Sequence, residues 1–284
     1  MTVETVLALV KERQQVTLQL EVRCPGGEVG AFYVSMPDGT QWILKWSELP
    51  DGHQRFTDGA AAVAALRQRG YPAPRYWPVL RVEGATVSLQ ERLRGQWSDS
   101  VDHGLLDRML EINDLQAGLA PGHASSWREF IRQTLTEGAE VWCLHEPLRS
   151  HSPATAAVLR RIEAVGGGMG PLPERDLVHV DFHHRNVLRD GGELIAVVDC
   201  EGFRSGDRLF DLVTFAYCLP VAETEDGVST RLWDHVLSVG QSDAVAAYIA
   251  HMALRRLDWV IRHHPEEVPI WLDEAERRLA MVAA

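Results

Sequence analysis

The stretch "LVHVDFHHRNVL", residues 177–188, constrains this chain more than any other. Leu177 and Val178 on one side, and Val187 and Leu188 on the other, have the aliphatic character of buried strands. Between them stand His179, Asp181, His183, His184, Arg185 and Asn186. Burying ionisable groups is costly unless they are paired or put to use, so such a cluster between two strands requires a purpose. Three readings compete: a histidine metal site, a solvated loop, and a catalytic loop held by short strands. Imidazoles share a metal when their spacing puts them on one face, as in H-E-x-x-H on a helix. Here Val178, Phe182 and Val187 break any such face. A purely solvated loop has no need of flanking strands, so the catalytic loop is favoured over the other two, which the rest of the sequence must weigh.

Composition narrows what the loop can serve. The formal net charge of -12 in 284 residues disfavours a nucleic-acid partner, since phosphate backbones need a basic face. It is compatible with a cationic small-molecule substrate. Cys24, Cys143, Cys200 and Cys218 are scattered without any C-x-x-C pair, as free thiols in a reducing compartment would be. "MTVETVLALVKERQQ" is too polar after Val10 for a signal peptide, and no apolar run reaches membrane length. The expectation is a cytoplasmic protein without a membrane partner, a monomer or weak dimer.

Periodicity divides the chain. "VTLQLEVRC" alternates as a strand, "GAFYVSMPDGTQWILKW" reads as a hairpin turning at Pro37-Asp38-Gly39, and "YWPVLRVEGATVSLQERL" reads as a second hairpin. Between them "RFTDGAAAVAALRQRG" is an Ala-rich helix stopped at Gly70, with Thr2 and Thr5 starting a short helix at the N-terminus. Beyond Ser98 the spacing becomes helical through Leu105, Leu106, Met109 and Ile112, and through Phe130, Ile131, Leu135 and Val141. Ser152-Pro153 starts another helix, and further helices are expected near 207–218, 228–238, 242–264 and 268–283 after a β interruption at about 176–200. The division is a β-rich part over 1–95 and a mainly helical part over 96–284.

His179 to Asn186 form an H-x-D-x-x-x-x-N pattern, and "ELIAVVDCE" brings Asp199 to the end of a second apolar strand. Together with "AVVDCEG" and "GDRLFDLVTF", this resembles the H-G-D-x-H-x-x-N-V-L, I-D-W-E and G-D-x-x-x-D-L-A signatures of aminoglycoside phosphotransferases and related choline-kinase-like enzymes. The resemblance implies an α+β, bilobal protein-kinase-like fold and an ATP- and Mg²⁺-dependent O-phosphotransferase, GTP not excluded. It implies Asp181 as the catalytic carboxylate, and Asn186 and Asp199 as metal ligands. Asp207 and Asp211 match the last signature, which in the family is mainly structural. For the nucleotide it implies Lys45 of "WILKW", the glycines Gly26 and Gly27, the hinge backbone of Glu91 and Leu93 with Gln90 beside it, and His183. The coexistence of Lys45, Asp181, Asn186 and Asp199 argues against a silent binding protein. The short run from Asp199 to "GDRLFDL" leaves no room for the activation segment of a protein kinase.

One departure from the family stands out. The lone helix of the nucleotide part usually carries a Glu that pairs with the strand-three lysine, and that place is held by Gly59, with Asp58 beside it. Arg185 also stands where the family prefers a small residue. The substrate implied is a hydroxyl-bearing cationic small molecule, an aminoglycoside or tuberactinomycin-type antibiotic, or else a metabolite as in choline or homoserine kinases. Glu201 is the first candidate for its anionic contact, followed by the Glu223/Glu225/Asp226 loop, Asp258 and the Glu266/Glu267 pair; Trp233, Trp259 and Trp271 are candidate stacking faces.

Overall fold

Two units emerge from a computed structural model that describes residues 1–25, 30–120, 127–220 and 222–282. The first comprises Met1–Asp99 and Arg185–Arg204, the second Ser100–His184 and Ser205–Ala284. In the first, β1 (Gln19–Arg23), β2 (Phe32–Ser35), β3 (Gln41–Ser47), β4 (Leu80–Val82) and β5 (Ala85–Glu91) form one antiparallel sheet in the order β1-β2-β3-β5-β4. Alternation puts Val34, Trp42, Leu44, Val87 and Leu89 on one face, where they meet Val3, Val6 and Val10 of helix α1 (Val3–Gln14) in a single apolar core. Thr2 caps that helix by accepting from Thr5 N, with Glu4 in its first turn and Lys11 and Arg13 in its last. The β2–β3 turn falls at Pro37-Asp38-Gly39 as its sequence demands: Asp38 accepts from Thr40 N at 2.9 Å, and Gly39 takes φ +84°.

Helix α2 (Gly52–Gln68) buries Phe56, Gly59, Ala62, Val63 and Leu66 along one stripe. A three-stranded sheet of β6 (Gln96–Trp97), β8 (Val187–Asp190) and β9 (Glu193–Val197) belongs to the same unit, with β8 central. The β8–β9 turn at Gly191 and Gly192 has both residues at positive φ, the geometry that favours glycine in tight hairpins. The sequence reading groups this hairpin with 96–284. Pairing of β8 with β6, and packing of α2 on the 3-10 turn Cys200–Gly202, draw it instead to the first hundred residues.

The second unit is built of α3 (His103–Asp114), α4 (Trp127–Glu137), α5 (His145–His151), α6 (Pro153–Gly168), α7 (Leu209–Tyr217), α8 (Val228–Val239), α9 (Ser242–His263) and α10 (Val268–Ala280), with the short strands β7 (Asp176–Val178) and β10 (Arg204–Gly206). Helix α9 runs through its core, burying Ala247, Tyr248, Ile249, Ala250, Leu254 and Leu257. The Ser152 side chain and Thr155 exchange hydrogen bonds with each other's backbone, which fixes the start of α6 as expected. Helix α4 does not reach Val141: Gly138 at φ +82° ends it and Val141 is exposed. The same break admits α5, a helix too short for its periodicity to show in sequence.

Candidate functional site

Lys45 lies on β3, where strand alternation turns it to the face opposite Leu44. Its ammonium meets Asp199 Oδ1 at 2.6 Å and Glu201 Oε1 at 2.8 Å. Burial works against its charge, but the carboxylates of Glu201 and Asp199 outweigh that and raise its pKa above the ordinary lysine range. Glu201 is buried and also accepts a hydrogen bond from Gln90 Nε2 of β5. Asp58, the acid beside Gly59 on α2, is exposed and accepts from Gln54 at 2.8 Å on its own helix.

Asn186 and Asp199 are fixed by the hairpin that carries them. The 3-10 turn His184–Asn186 precedes β8, and Val198 N donates to Asn186 O at 2.9 Å, so the two backbones are tied one residue before Asp199. Asp199 itself takes φ +64°, a left-handed conformation uncommon outside glycine, and leads into the Cys200–Gly202 turn. Its side chain is 49% exposed. An amide oxygen and an accessible carboxylate are hard donors that suit Mg²⁺. The neighbouring Cys200 is buried, and burial pushes its thiol up and away from the thiolate a soft metal needs. The donor set therefore fits magnesium better than zinc.

In the second unit, the backbone before Asp181 is held by Asp211 of α7. Asp211 Oδ2 accepts from His179 N at 2.7 Å and from Gln116 Nε2 at 2.7 Å, and Oδ1 accepts from Val180 N at 2.9 Å. Val180 sits at φ +74°, a strained position for a β-branched residue that these bonds make tolerable. Asp207 is equally structural: it accepts from Leu209 N at 3.0 Å and from Tyr248 OH at 3.0 Å, while Trp127 Nε1 donates to that hydroxyl. Burial pushes the Asp211 carboxyl up to about 7 against the three donated hydrogen bonds. Replacing it with Asn leaves one oxygen for three donors, so Asp211→Asn is expected to cost roughly 2–4 kcal/mol. Urea unfolding measures that loss, and a variant as stable as the parent contradicts the clamp.

Asp181 follows this strained corner. Arg255 of α9 donates to its Oδ1 at 2.6 Å and to Val180 O at 2.9 Å, and His183 Nε2 lies 3.3 Å from Oδ2. Burial raises the Asp181 pKa, but the charges of Arg255, His183 and His179 outweigh it and hold the carboxyl well below its ordinary value. Asp181 is thus a carboxylate at neutral pH, 32% exposed in its side chain, with Arg255 on Oδ1 and His183 beside Oδ2. Among the described residues, the group of metal-binding side chains close enough to share an ion is His264, Glu266 and Glu267, not the histidines at 179–184.

The expected residues therefore fall into two sets: Lys45, Asn186, Asp199 and Glu201 in the first unit, Asp181 and His183 in the second. Glu91 ends β5 with its side chain held by Arg75 at 3.1 Å, and its N–H donates to Arg75 O at 2.8 Å. Leu93 lies just beyond, half-buried. Gly26 and Gly27 lie outside the described residues. Sequence reasoning missed Arg255, one of three arginines in the C-terminal half of α9 with nothing to distinguish it, and the pairing of Glu201 with Lys45. Asp258 is buried and clasped by Arg262 at 2.8 and 2.9 Å, which withdraws it from the substrate candidates. Trp233 and Trp271 lie under the guanidinium groups of Arg278 and Arg256, respectively. Trp259 is stacked with Trp142, itself 41% exposed.

Among the described residues no helix is long and apolar enough to cross a membrane. No curated protein matches the chain. Among solved structures, aminoglycoside phosphotransferase APH(4)-Ia matches at TM-score 0.71 and 17% identity, covering 100% of both chains. Amicoumacin kinase hAmiN, solved with AMP-PNP, Ca²⁺ and Ami, matches at TM-score 0.66 and 14% identity over 98% of this chain and 94% of its own. Spectinomycin phosphotransferase APH(9)-Ia, solved with ADP and spectinomycin, matches at 0.60 and 10% over 100% and 95%. At such identities the likeness establishes the kinase-like fold. The family model described as "Phosphotransferase enzyme family" matches residues 23–236, most of the chain. This protein belongs to that phosphotransferase family and is a small-molecule kinase.

Proposed function

We propose that the protein transfers the γ-phosphoryl group of ATP to a hydroxyl of a small molecule, and that the acceptor is an antibiotic. The observation that carries this reading is the pairing of Lys45 with Asp199 and Glu201 in the first unit; the second unit separately holds Asp181 as a carboxylate with Arg255 on one oxygen. Phosphoryl transfer asks a protein mainly for positioning and charge neutralisation. Lys45 supplies a fixed positive charge for the nucleotide phosphates. Asn186 and Asp199 are the residues to hold Mg²⁺, which when bound offsets phosphate charge. Asp181 accepts a hydrogen bond from the acceptor hydroxyl, orients it and takes its proton. Arg255 keeps that carboxylate charged and aimed through its bond to Oδ1.

The solved neighbours named for hygromycin B, amicoumacin and spectinomycin support an antibiotic acceptor. The acidic surplus of the chain favours a cationic one. With Glu201 and Asp258 engaged internally, we assign the ammonium contacts to the exposed Glu223/Glu225/Asp226 loop, and a ring face of the acceptor to the exposed Trp142, since Trp259 is stacked on both Trp142 and His263. Phosphate transfer from MgATP to a panel of aminoglycosides, tuberactinomycins and neutral hydroxyl compounds tests this. KM for the preferred cationic acceptor should rise with ionic strength, because exposed ion pairs are screened. Preferential turnover of a neutral compound with no salt effect replaces the antibiotic reading with a metabolic kinase.

The acid limb of kcat/KM gives a second check. With Arg255 present, Asp181 stays ionised below its ordinary range, about 3.9. Its contribution to stability is fully present above that unfolded-state value and is lost as pH falls through the lower folded one. Arg255→Met removes the main lowering charge and leaves only His183 and His179 to oppose burial, so the folded pKa rises. The acid limb should move to higher pH in this variant; an unmoved limb means another group governs it.

A further inference from the structure

We infer that Glu201 is a positioning residue for the nucleotide: it anchors Lys45 in the role that a helix carboxylate fills in other kinase-like phosphotransferases. The inference rests on the phosphotransferase reading and concerns how this chain completes it. In a kinase-like site, a strand lysine reaches the phosphates only if a carboxylate steadies it, and the usual carboxylate comes from the lone helix of the nucleotide-binding part. Helix α2 lacks that acid. Gly59 holds its place, and the adjacent Asp58 is exposed and engaged by Gln54.

Gly59 is more than an omission. A Cβ built there would stand 3.1 Å from both Cys200 O and Glu201 Cα, so the helix backbone rests directly on the Cys200–Gly202 turn. Any longer side chain at 59 would have to displace that turn. The acid missing from the helix is supplied by the turn the helix packs on: Glu201 Oε1 lies 2.8 Å from Lys45 Nζ. Gln90 donates to the same carboxylate from β5, the strand paired with the one carrying Lys45. The carboxylate is therefore held by a strand amide and by the lysine it serves. Its burial, 7% of the residue exposed, removes it from contact with a solvent-borne acceptor.

This relocation has a mechanical consequence. Where the acid sits on a helix, the lysine pair forms or breaks as the helix swings. Here the lysine anchor and the candidate metal ligand Asp199 are two residues apart on one turn, so a single backbone segment aligns both. Lys45 is aligned whenever that turn is formed, with no helix motion needed to assemble it.

The test uses the full chain and Mg²⁺ with AMP-PNP, followed by calorimetry, so that no acceptor need be known. Glu201→Gln preserves shape and removes the charge, and should weaken binding by about 10-fold or more. Lys45→Met should weaken it at least as much. Because Glu201 acts through Lys45, the double variant should bind no worse than Lys45→Met alone. Glu201→Asp, which keeps the charge on a shorter stem, should lie between wild type and Glu201→Gln, and it carries the same cycle if Glu201→Gln melts without cooperativity. Binding by Glu201→Gln equal to wild type overturns the inference. So does a double variant whose loss is the product of the two single losses, as expected if Glu201 bound the metal independently of Lys45. Failure of the wild-type protein to bind the nucleotide is a different outcome, and brings down the phosphotransferase reading itself.

Discussion

Asp181→Asn is expected to lower turnover by about 10²-fold or more in a protein that still melts cooperatively. The size of the loss follows from the work assigned to this side chain: a positioned base contributes typically about 10²–10⁴-fold, and an amide can neither take the hydroxyl proton nor present a charged acceptor to it. The fold survives for an equally specific reason. The corner that places residue 181 is built by Asp211 through the backbone of His179 and Val180, not by the Asp181 side chain. Asn is nearly isosteric, and its amide oxygen can still accept from Arg255, which also keeps its bond to Val180 O. Initial rates with a cognate acceptor, together with a melting curve, make the measurement. Turnover within a few-fold of wild type in a cooperatively melting variant removes Asp181 from the reaction.

Much of this arrangement could be read from the chain because it is local. The glycines of the β8–β9 turn, the alternation in "WILKW" and the capping residues of α6 each act over a few residues, and each appears where its sequence signal puts it. The candidate loop is local too: an Asp and an Asn five residues apart, flanked by strands. What escaped the reading depends on distant contacts. Arg255, Arg256 and Arg262 share one helix, yet the first meets Asp181, the second covers Trp271 and the third clasps Asp258. Helical spacing assigns faces but does not name what a face will meet. Glu201 shows the same gap from the other side. Its position two residues after Asp199 marked it as important, and its proximity to the candidate metal suggested a substrate contact. Only the close seat of Gly59 on the turn, a packing fact, makes it a partner for Lys45. Helix α4 ended early for a reason that was legible, since Gly138 stands in the sequence; the apolar Val141 beyond it masked the stop.

Removing divalent cations should abolish transfer, and adding Mg²⁺ back should restore it. The phosphates of a nucleotide carry several negative charges, and against them the described residues of the first-unit set offer one lysine whose ammonium is already paired with two carboxylates. Without a cation, the carboxylates paired with Lys45 offset its attraction for the phosphates, so these residues alone are poorly suited to hold the nucleotide charge. Asp199 and Asn186 would hold a bound Mg²⁺, whose charge would offset that of the phosphates and turn the Asp199 carboxylate from a repulsive group into a favourable one. Asp199→Asn should therefore act in the direction of metal loss: it keeps an oxygen donor but removes the charge that would hold the cation. Its turnover should fall by about 10²-fold or more, with part of the loss recovered at high Mg²⁺. Rates after EDTA treatment, a Mg²⁺ titration of wild type and Asp199→Asn, and elemental analysis of the purified protein provide the check. Transfer that persists in EDTA, or zinc retained stoichiometrically by the protein, contradicts the assignment of Asn186 and Asp199 and returns the histidines at 179–184 to consideration.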